Sequence, residues 1–561
     1  MATSTVHPEL IEHAERYERR VEQVGDRVFV AIGFGLANTI MIMGEGGVVV
    51  VDVMESEGAA ADARDALRER SGCDLPVKGV IYTHGHPDHV WGARAWVPEG
   101  AEAAIEIVAH ETVAHFVNEF ANVLAPRYTA GAIHMYGSVL RDDDEGFVVN
   151  GIGPRLRADG GRGFVPPNRT FADHDEVEIA GVRLQLQFAP GESPDQIFAW
   201  LPDDRILLSG DTVYRSYPNI YTIRGARFRD PRDWYGSVDK MRRLRPEHMV
   251  PCHGGPVSGA DAVMEILTAY RDGIQYVFDQ TIRGMNLGLS PDQLASTVAL
   301  PRELATHPYL RELYGLVELC VREIYVGLYG WFSGDGGDLC PPPPAEESAE
   351  IVALAGGLEP TVAALRAAVD DGRLAWAARL SSHVLRVDPD HAGAKALKVA
   401  TLRRLAHATG NANARNWWLT EIEVLEGRLP LTPELVAHIA RSRASGVLAG
   451  VPTRETIAAL TVRLDADAAD GVHCALRLSV TDSSDHHHDD DDVTLVIRHG
   501  LCVVESMPVD TPDAHVQLTK STLVQLVAGE RTWAEALDDG SVTLDGERAL
   551  LLQIVGHFDG W

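Results

Sequence analysis

The 561-residue sequence predicts an α/β layered domain, then an α-helical domain, then a smaller α+β unit. Three observations carry this. Short apolar runs of strand character alternate with helical patterns over roughly residues 20–260, as a layered α/β domain requires. After His253 the strand runs stop and long helical patterns take over. From about Leu431 a third unit begins, in which Cys474, Leu476, Leu478 and Val480 alternate with polar neighbours. The expected divisions are 1–260, 261–430 and 431–561.

Strands are expected from Arg27 to Gly33, Ile40 to Met43 and Gly47 to Val53, with Glu45-Gly46-Gly47 as the hairpin turn between the last two. A helix follows over Ala59 to Arg70. Val77 to Tyr82 is a short apolar strand that runs into a histidine cluster. The glycine-rich stretch Val123 to Asn168 has little periodicity and reads as a long loop, which in a compact domain is usually functional or disordered. Strands resume at Glu176 to Ile179, Val182 to Phe188, Ile197 to Leu201, Arg205 to Ser209 and His248 to Pro251.

Val263 to Met285 is a long helix. Ser290-Pro-Asp-Gln293 is a helix start with a capping box. Further helix is expected over Leu310 to Tyr329. Pro341 to Pro344 is a stiff break, and Glu359 to Glu426 is helical again. Within it, Leu374 to Leu385 and Ala392 to His407 resemble one tetratricopeptide-like hairpin, and a single copy cannot form a solenoid. Trp417-Trp418 reads as helix packing. In the third unit, Val493 to Ile497 and Leu501 to Val504 flank His499-Gly500 as a hairpin, and Ser521 to Ala528 is a helix.

The formal net charge of −31 repels phosphate backbones and argues against a general nucleic-acid binder. It leaves an anionic substrate possible, because bound metal reverses the local field. No window reaches the ~18 apolar residues of a membrane span. The chain opens without a basic stretch followed by an apolar run, so a cytoplasmic location is expected, with a secreted mature form as the alternative. The six cysteines have no close pair, which suggests neither a disulfide framework nor a cysteine zinc site.

Chemistry concentrates in Thr83-His84-Gly85-His86-Pro87-Asp88-His89, four metal-ligating side chains in six positions directly after a strand. Imidazole suits zinc and similar borderline metals, and carboxylate adds charge neutralisation. Three later strand ends offer further ligands: Glu192 in Pro190-Gly-Glu-Ser193, Asp211 in Ser209-Gly-Asp211, and His253 in Pro251-Cys-His-Gly-Gly255. The run Asp485-His-His-His-Asp-Asp-Asp-Asp492 could collect metal or be a solvated loop between two strands.

The H-x-H-x-D-H spacing resembles the signature of the metallo-β-lactamase fold, an αββα sandwich. Glutamate at 192, where most of that fold has histidine, narrows the resemblance to the alkylsulfatases. Met135-Tyr-Gly-Ser138, Gly151-Ile-Gly-Pro154, Pro190 to Pro194, Asn219 to Ala226, Arg229-Asp230 and Trp331 to Leu339 extend it along nearly the whole chain. The helical middle resembles that family's dimerisation domain, and the end its sterol-carrier-like C-terminal domain.

The resemblance implies two divalent metal ions, with zinc as the expected identity. The first lies on His84, His86 and Glu192, the second on Asp88, His89 and His253, with Asp211 bridging. Alkylsulfatases usually carry glutamate at the bridge, so this chain departs from them there and agrees with the wider fold. Asp88, Tyr136, Arg224 and Tyr325 are the candidates for direct action on the ester. Arg224, in Ile-Arg-Gly, offers a planar fork for a sulfonate.

Two cations lower the pKa of water toward neutrality, which suits hydrolysis. The implied reaction is cleavage of an alkyl sulfate ester, with an aliphatic small molecule as substrate and no nucleic-acid partner. The alternatives are hydrolysis of a lactone, thioester or phosphoester, or a lipid-binding protein with a vestigial metal site. The apolar helices between Val263 and Tyr329 suggest a homodimer, and a sterol-carrier-like domain implies an apolar tunnel for the alkyl tail.

Overall fold

The computed structural model describes residues 5–143, 145–482 and 492–561. Two sheets form the first unit. The first runs in order β1 (Arg20–Val24), β2 (Val28–Ile32), β3 (Thr39–Met43), β4 (Val48–Val51), β5 (Val77–Ile81), β6 (Glu106–His110) and β7 (Arg169–Phe171). It is antiparallel as far as β4 and parallel from there on. The second comprises β8 (His174–Ile179), β9 (Val182–Phe188), β10 (Ile197–Leu201), β11 (Ile206–Gly210), β12 (His248–Pro251) and β13 (Val257–Ser258), and β11–β12 is its parallel pair.

Strand alternation decides how the sheets stack. Val28, Val30 and Ile32 point between the sheets, where they meet Leu184, Leu186, Ile206 and Leu208. Phe29 and Ala31 point the other way, towards the helix Glu57–Ser71. On the far side Trp200, Leu207 and Met249 pack under the helices Pro231–Leu244 and Ala260–Asn286. With both faces covered, these strands read as continuous apolar runs. The result is an αββα sandwich.

Two expectations fail here. Val123 to Asn168 is not one loop, because it contains the helix Ala125–Met135. Its Gly131 looks like a breaker, but a Cβ there would lie 2.4 Å from the Arg224 carbonyl, so glycine permits a close approach of two backbones. Helix also does not begin at Leu310. It spans Val317–Tyr329, because the preceding backbone bonds elsewhere, Arg311 O to Tyr217 N and Leu313 O to Ala412 N.

The helix Ala260–Asn286 buries Val263, Leu267, Tyr270, Ile274 and Val277 against the sandwich rather than leaving them for a partner. The helices Leu358–Asp370, Leu374–Val387, Ala392–Ala408 and Ala412–Leu425 follow. The last unit is a five-stranded sheet, β14 (Cys474–Val480), β15 (Asp492–Arg498), β16 (Leu501–Val504), β17 (Ala514–Leu518) and β18 (Val542–Gly546), in order β16-β15-β14-β17-β18. His499 and Gly500, both at positive φ, turn β15 into β16. The run 485–492 lies outside the described residues except for Asp492. Leu476, Leu478, Val516 and Leu551 join the same apolar cluster as Phe29, Val80 and Trp96, so the chain end and the first sheet share one core. Among the described residues no single helix is long and apolar enough to cross a membrane.

The N-terminal helix Pro8–Glu15 carries an acid-sensitive contact. His13 is 3% exposed, and its Nε2 lies 2.6 Å from the Gly151 carbonyl oxygen. Burial pushes its pKa down to about 4. The folded state therefore binds fewer protons than the unfolded state between about pH 6.5 and 4, and stability rises with pH across that window. This contribution, on the order of 3 kcal/mol, is fully present above about pH 6.5 and lost as pH falls to about 4. His13→Asn should flatten the acid-side fall in melting temperature. Equal falls in both proteins would refute the assignment.

Candidate metal centre

All seven predicted ligand residues lie at the C-terminal ends of strands along one edge of the sandwich. His84 to His89 follow β5, Glu192 follows β9, Asp211 follows β11 and His253 follows β12. Three sets have ligand atoms within 4.8 Å of one another: His84, His89 and Asp211; Asp88, His89 and His253; and His86, Glu192 and Asp211. Asp211 and His89 each belong to two of these sets, and Asp211 Oδ2 lies 3.2 Å from His253 Nε2, 3.4 Å from His89 Nε2 and 3.8 Å from His84 Nε2. His84 Nε2 and His86 Nδ1 are 2.8 Å apart.

A second set of residues fixes which nitrogen each ring presents. Asp52, at φ 57 directly after β4, accepts from Thr83 N and Thr83 Oγ1, both at 2.8 Å, from His89 Nδ1 at 2.7 Å and from Cys252 Sγ at 3.0 Å. His89 is thereby left with Nε2 toward Asp211 and Asp88. His84 Nδ1 lies 3.0 Å from Thr83 Oγ1, and His253 Nδ1 lies 3.0 Å from the Leu36 carbonyl, so both turn Nε2 inward. Asp195 takes Gly85 N at 2.7 Å and holds the turn between His84 and His86. Glu192 is gripped by Arg229, 2.7 Å away, and by the Tyr214 hydroxyl at 3.2 Å. The sequence reading missed Asp52, Asp195 and Tyr214. An aspartate directly after a run of four valines was the available signal for Asp52.

Burial holds the pKa of His84 down at about 3, and that of His86 well below its ordinary value. Burial also opposes charge on His89 and His253, but Asp211 with Asp88 outweighs it and raises both. Glu192 is raised by burial against the pull of Arg229.

The donors fit divalent cations. His89 Nε2 and Asp211 Oδ1 are buried with no hydrogen-bond partner, an arrangement that is costly unless another group takes them up. Four imidazoles and three carboxylates form the mixed set that zinc and similar metals accept.

Of the seven, Asp88 borders a cavity of about 240 Å³ with a largely apolar lining that includes Phe120, Ala132 and Ile133. Arg224, 6% exposed, stands at its inner end. Its Nη2 is 3.5 Å from His86 Nε2, its Nε donates to the Tyr136 hydroxyl at 3.3 Å, and it lies over the rings of Phe120 and Tyr128. Tyr136 also borders the cavity and meets the Tyr314 hydroxyl at 3.5 Å. Tyr325 does not join them: its hydroxyl donates to the Phe332 carbonyl and it does not line the cavity. The opposite wall includes Ala440, Arg443 and Ala444, at the C-terminal end of the helix Pro433–Ser442 and just beyond it.

The metallo-beta-lactamase superfamily profile matches residues 32–253, the alkyl sulfatase dimerisation profile residues 290–428, and the alkyl sulfatase C-terminal profile residues 441–560. A linear primary-alkylsulfatase of Pseudomonas sp. is 37% identical over 527 residues, 92% of this chain and 98% of its own. An (R)-specific secondary-alkylsulfatase of Pseudomonas sp. is 28% identical over 572 residues, 100% of this chain and 84% of its own. The solved stereoselective inverting sec-alkylsulfatase Pisa1 from Pseudomonas sp. superposes with a TM-score of 0.91 at 26% identity, covering 100% of this chain and 88% of its own. On these grounds, and with its strand-end ligands in one cluster, the chain belongs to the alkylsulfatase family of metallo-β-lactamase-superfamily hydrolases.

Proposed function

We propose that the protein hydrolyses alkyl sulfate esters to alcohol and sulfate, with two zinc ions. The observation that carries this reading is the junction of three features: the imidazole–carboxylate cluster, a buried arginine beside it, and an apolar cavity leading away. His84, His86 and Glu192 would hold one ion and Asp88, His89 and His253 the other, with Asp211 available to both. When bound, the ions supply Lewis acidity and lower the pKa of water toward neutrality.

The chain's residues do the rest. Among the described residues Arg224 has no carboxylate partner, and its guanidinium binds the sulfate through its fork. Tyr136 orients that guanidinium through Nε and reaches the same space. Asp88, the ligand residue that borders the cavity, is placed to accept a proton as water attacks. The apolar lining excludes water and holds the alkyl chain.

The dimerisation match supports a homodimer. With the helix Ala260–Asn286 consumed internally, the exposed Tyr329, Trp331 and Leu339 are among the apolar residues left for a partner. The C-terminal unit contributes Ala440 and Ala444 to the cavity wall, which supports a part for it in holding the alkyl tail.

Each buried methylene contributes about 0.8 kcal/mol, roughly fourfold in binding. Catalytic efficiency should therefore rise by roughly that factor per carbon along a homologous alkyl sulfate series, then level off when the cavity is full. Ala132→Phe, on the wall, should move the plateau to shorter chains. Sulfate release by the zinc-loaded protein tests both points. No release from any chain length would end the sulfatase reading.

A further inference from the structure

The cavity has more cationic chemistry than one sulfate requires. Arg162 and Arg443 both border it, and neither guanidinium has a hydrogen bond or ion pair among the described residues. That is unexpected in a chain where 81 acidic residues outnumber 50 lysines and arginines. Arg157, on the same wall, is conventional: it pairs with Asp62 at 2.7 Å and with Asp159 at 2.5 Å.

Burial with the nearby Arg443 charge pushes Arg162 down to about 10, and burial lowers Arg443 as well. Glu55 borders the cavity too, but it accepts from the backbone N–H of Leu36 and Arg157 rather than from either arginine. Trp91 lies beneath the Arg162 guanidinium, 5.9 Å from ring centroid to Cζ, and its indole N–H has no acceptor.

The two arginines are also fixed to each other through backbone. A Cβ on Gly446 would lie 2.0 Å from the Arg162 carbonyl, and one on Gly450 2.3 Å from that of Phe164. The segment after Arg443 is thus seated directly on the Arg162 loop. Both arginines are half-buried, whereas Arg224 is buried, so they stand nearer to solvent than Arg224 does.

We propose that Arg162 and Arg443 form a second anion subsite, so that the preferred substrates are alkyl sulfates carrying a carboxylate or second sulfate at the far end of the chain. This rests on the sulfate-ester reading for the scissile end. The far-end anion supplies the counter-charge that the protein withholds.

The test compares matched substrates on the full-length zinc-loaded protein: an n-alkyl sulfate, and the ω-carboxyalkyl sulfate of equal length. The quantity read is the ratio of their kcat/KM values. Arg162→Gln and Arg443→Gln should each lower that ratio by roughly ten- to a hundredfold, the worth of one charge-assisted contact. Arg162→Lys and Arg443→Lys should restore most of it. A ratio unchanged in both glutamine variants overturns the proposal.

Calorimetry with an α,ω-alkane dicarboxylate reads the subsite without turnover. Arginine-dependent binding there, with no hydrolysis of either ester, would sink the sulfatase reading and leave the subsite standing. Inorganic sulfate displacing the dicarboxylate from the wild type but not from the glutamine variants, with no change in the kinetic ratio, would make this a site for free sulfate and overturn it.

Discussion

His86→Ala should lower kcat/KM on alkyl sulfates by about three orders of magnitude or more, with the fold intact. A metal contributes several kcal/mol of charge stabilisation, and each 1.36 kcal/mol is a factor of ten. His86 is 6% exposed, and its Nδ1 faces His84 Nε2, so its removal opens one metal position directly. The loop survives, because Gly85 is held by Asp195 and Thr83 by Asp52, neither through the His86 ring. Elemental analysis should find about one metal per chain in place of two, with unchanged circular dichroism. Full metal content together with near-native turnover would refute the ligand assignment.

Arg224→Ala should lower kcat/KM by roughly a hundred- to a thousandfold, equally for every alkyl chain length. Two charge-assisted hydrogen bonds to one sulfate are worth about 3–4 kcal/mol together. The guanidinium is already positioned by Tyr136, the Gly225 carbonyl and the rings of Phe120 and Tyr128, so little freedom is lost when sulfate arrives. Arg224→Lys keeps the charge but not the fork and should recover only part of the loss. A loss that grows or shrinks with chain length would mean that Arg224 acts on the tail.

The ligands were legible because they sit in one local motif and at the ends of strands that hydrophobic runs mark clearly. The sandwich was legible for the same reason: continuous apolar runs at 28–32 and 48–51 show strands buried on both faces. What sequence could not give is proximity across the chain. Arg162 and Arg443 become neighbours only when the helix Pro433–Ser442 lies on Ala125–Met135, and that second helix was hidden by a glycine whose purpose is packing. Tyr325 failed for the converse reason. A tyrosine on an apolar helix face finds a nearby carbonyl as readily as an active site, and here the carbonyl belongs to Phe332.

The core shared by the first sheet and the chain end has a consequence for biosynthesis. Ribosomes deliver a protein from its N-terminus, and domains generally fold as they emerge. Here the strands around Phe29 and Val80 appear early, whereas Leu476, Val516 and Leu551, which share their cluster, are made much later. The nascent sandwich therefore waits with an apolar face uncovered, and its cavity lacks a wall until the segment around Ala444 has been translated. Premature termination just past the metal ligands should yield insoluble chains rather than a smaller active enzyme, and catalysis should begin only once the later segment has packed on.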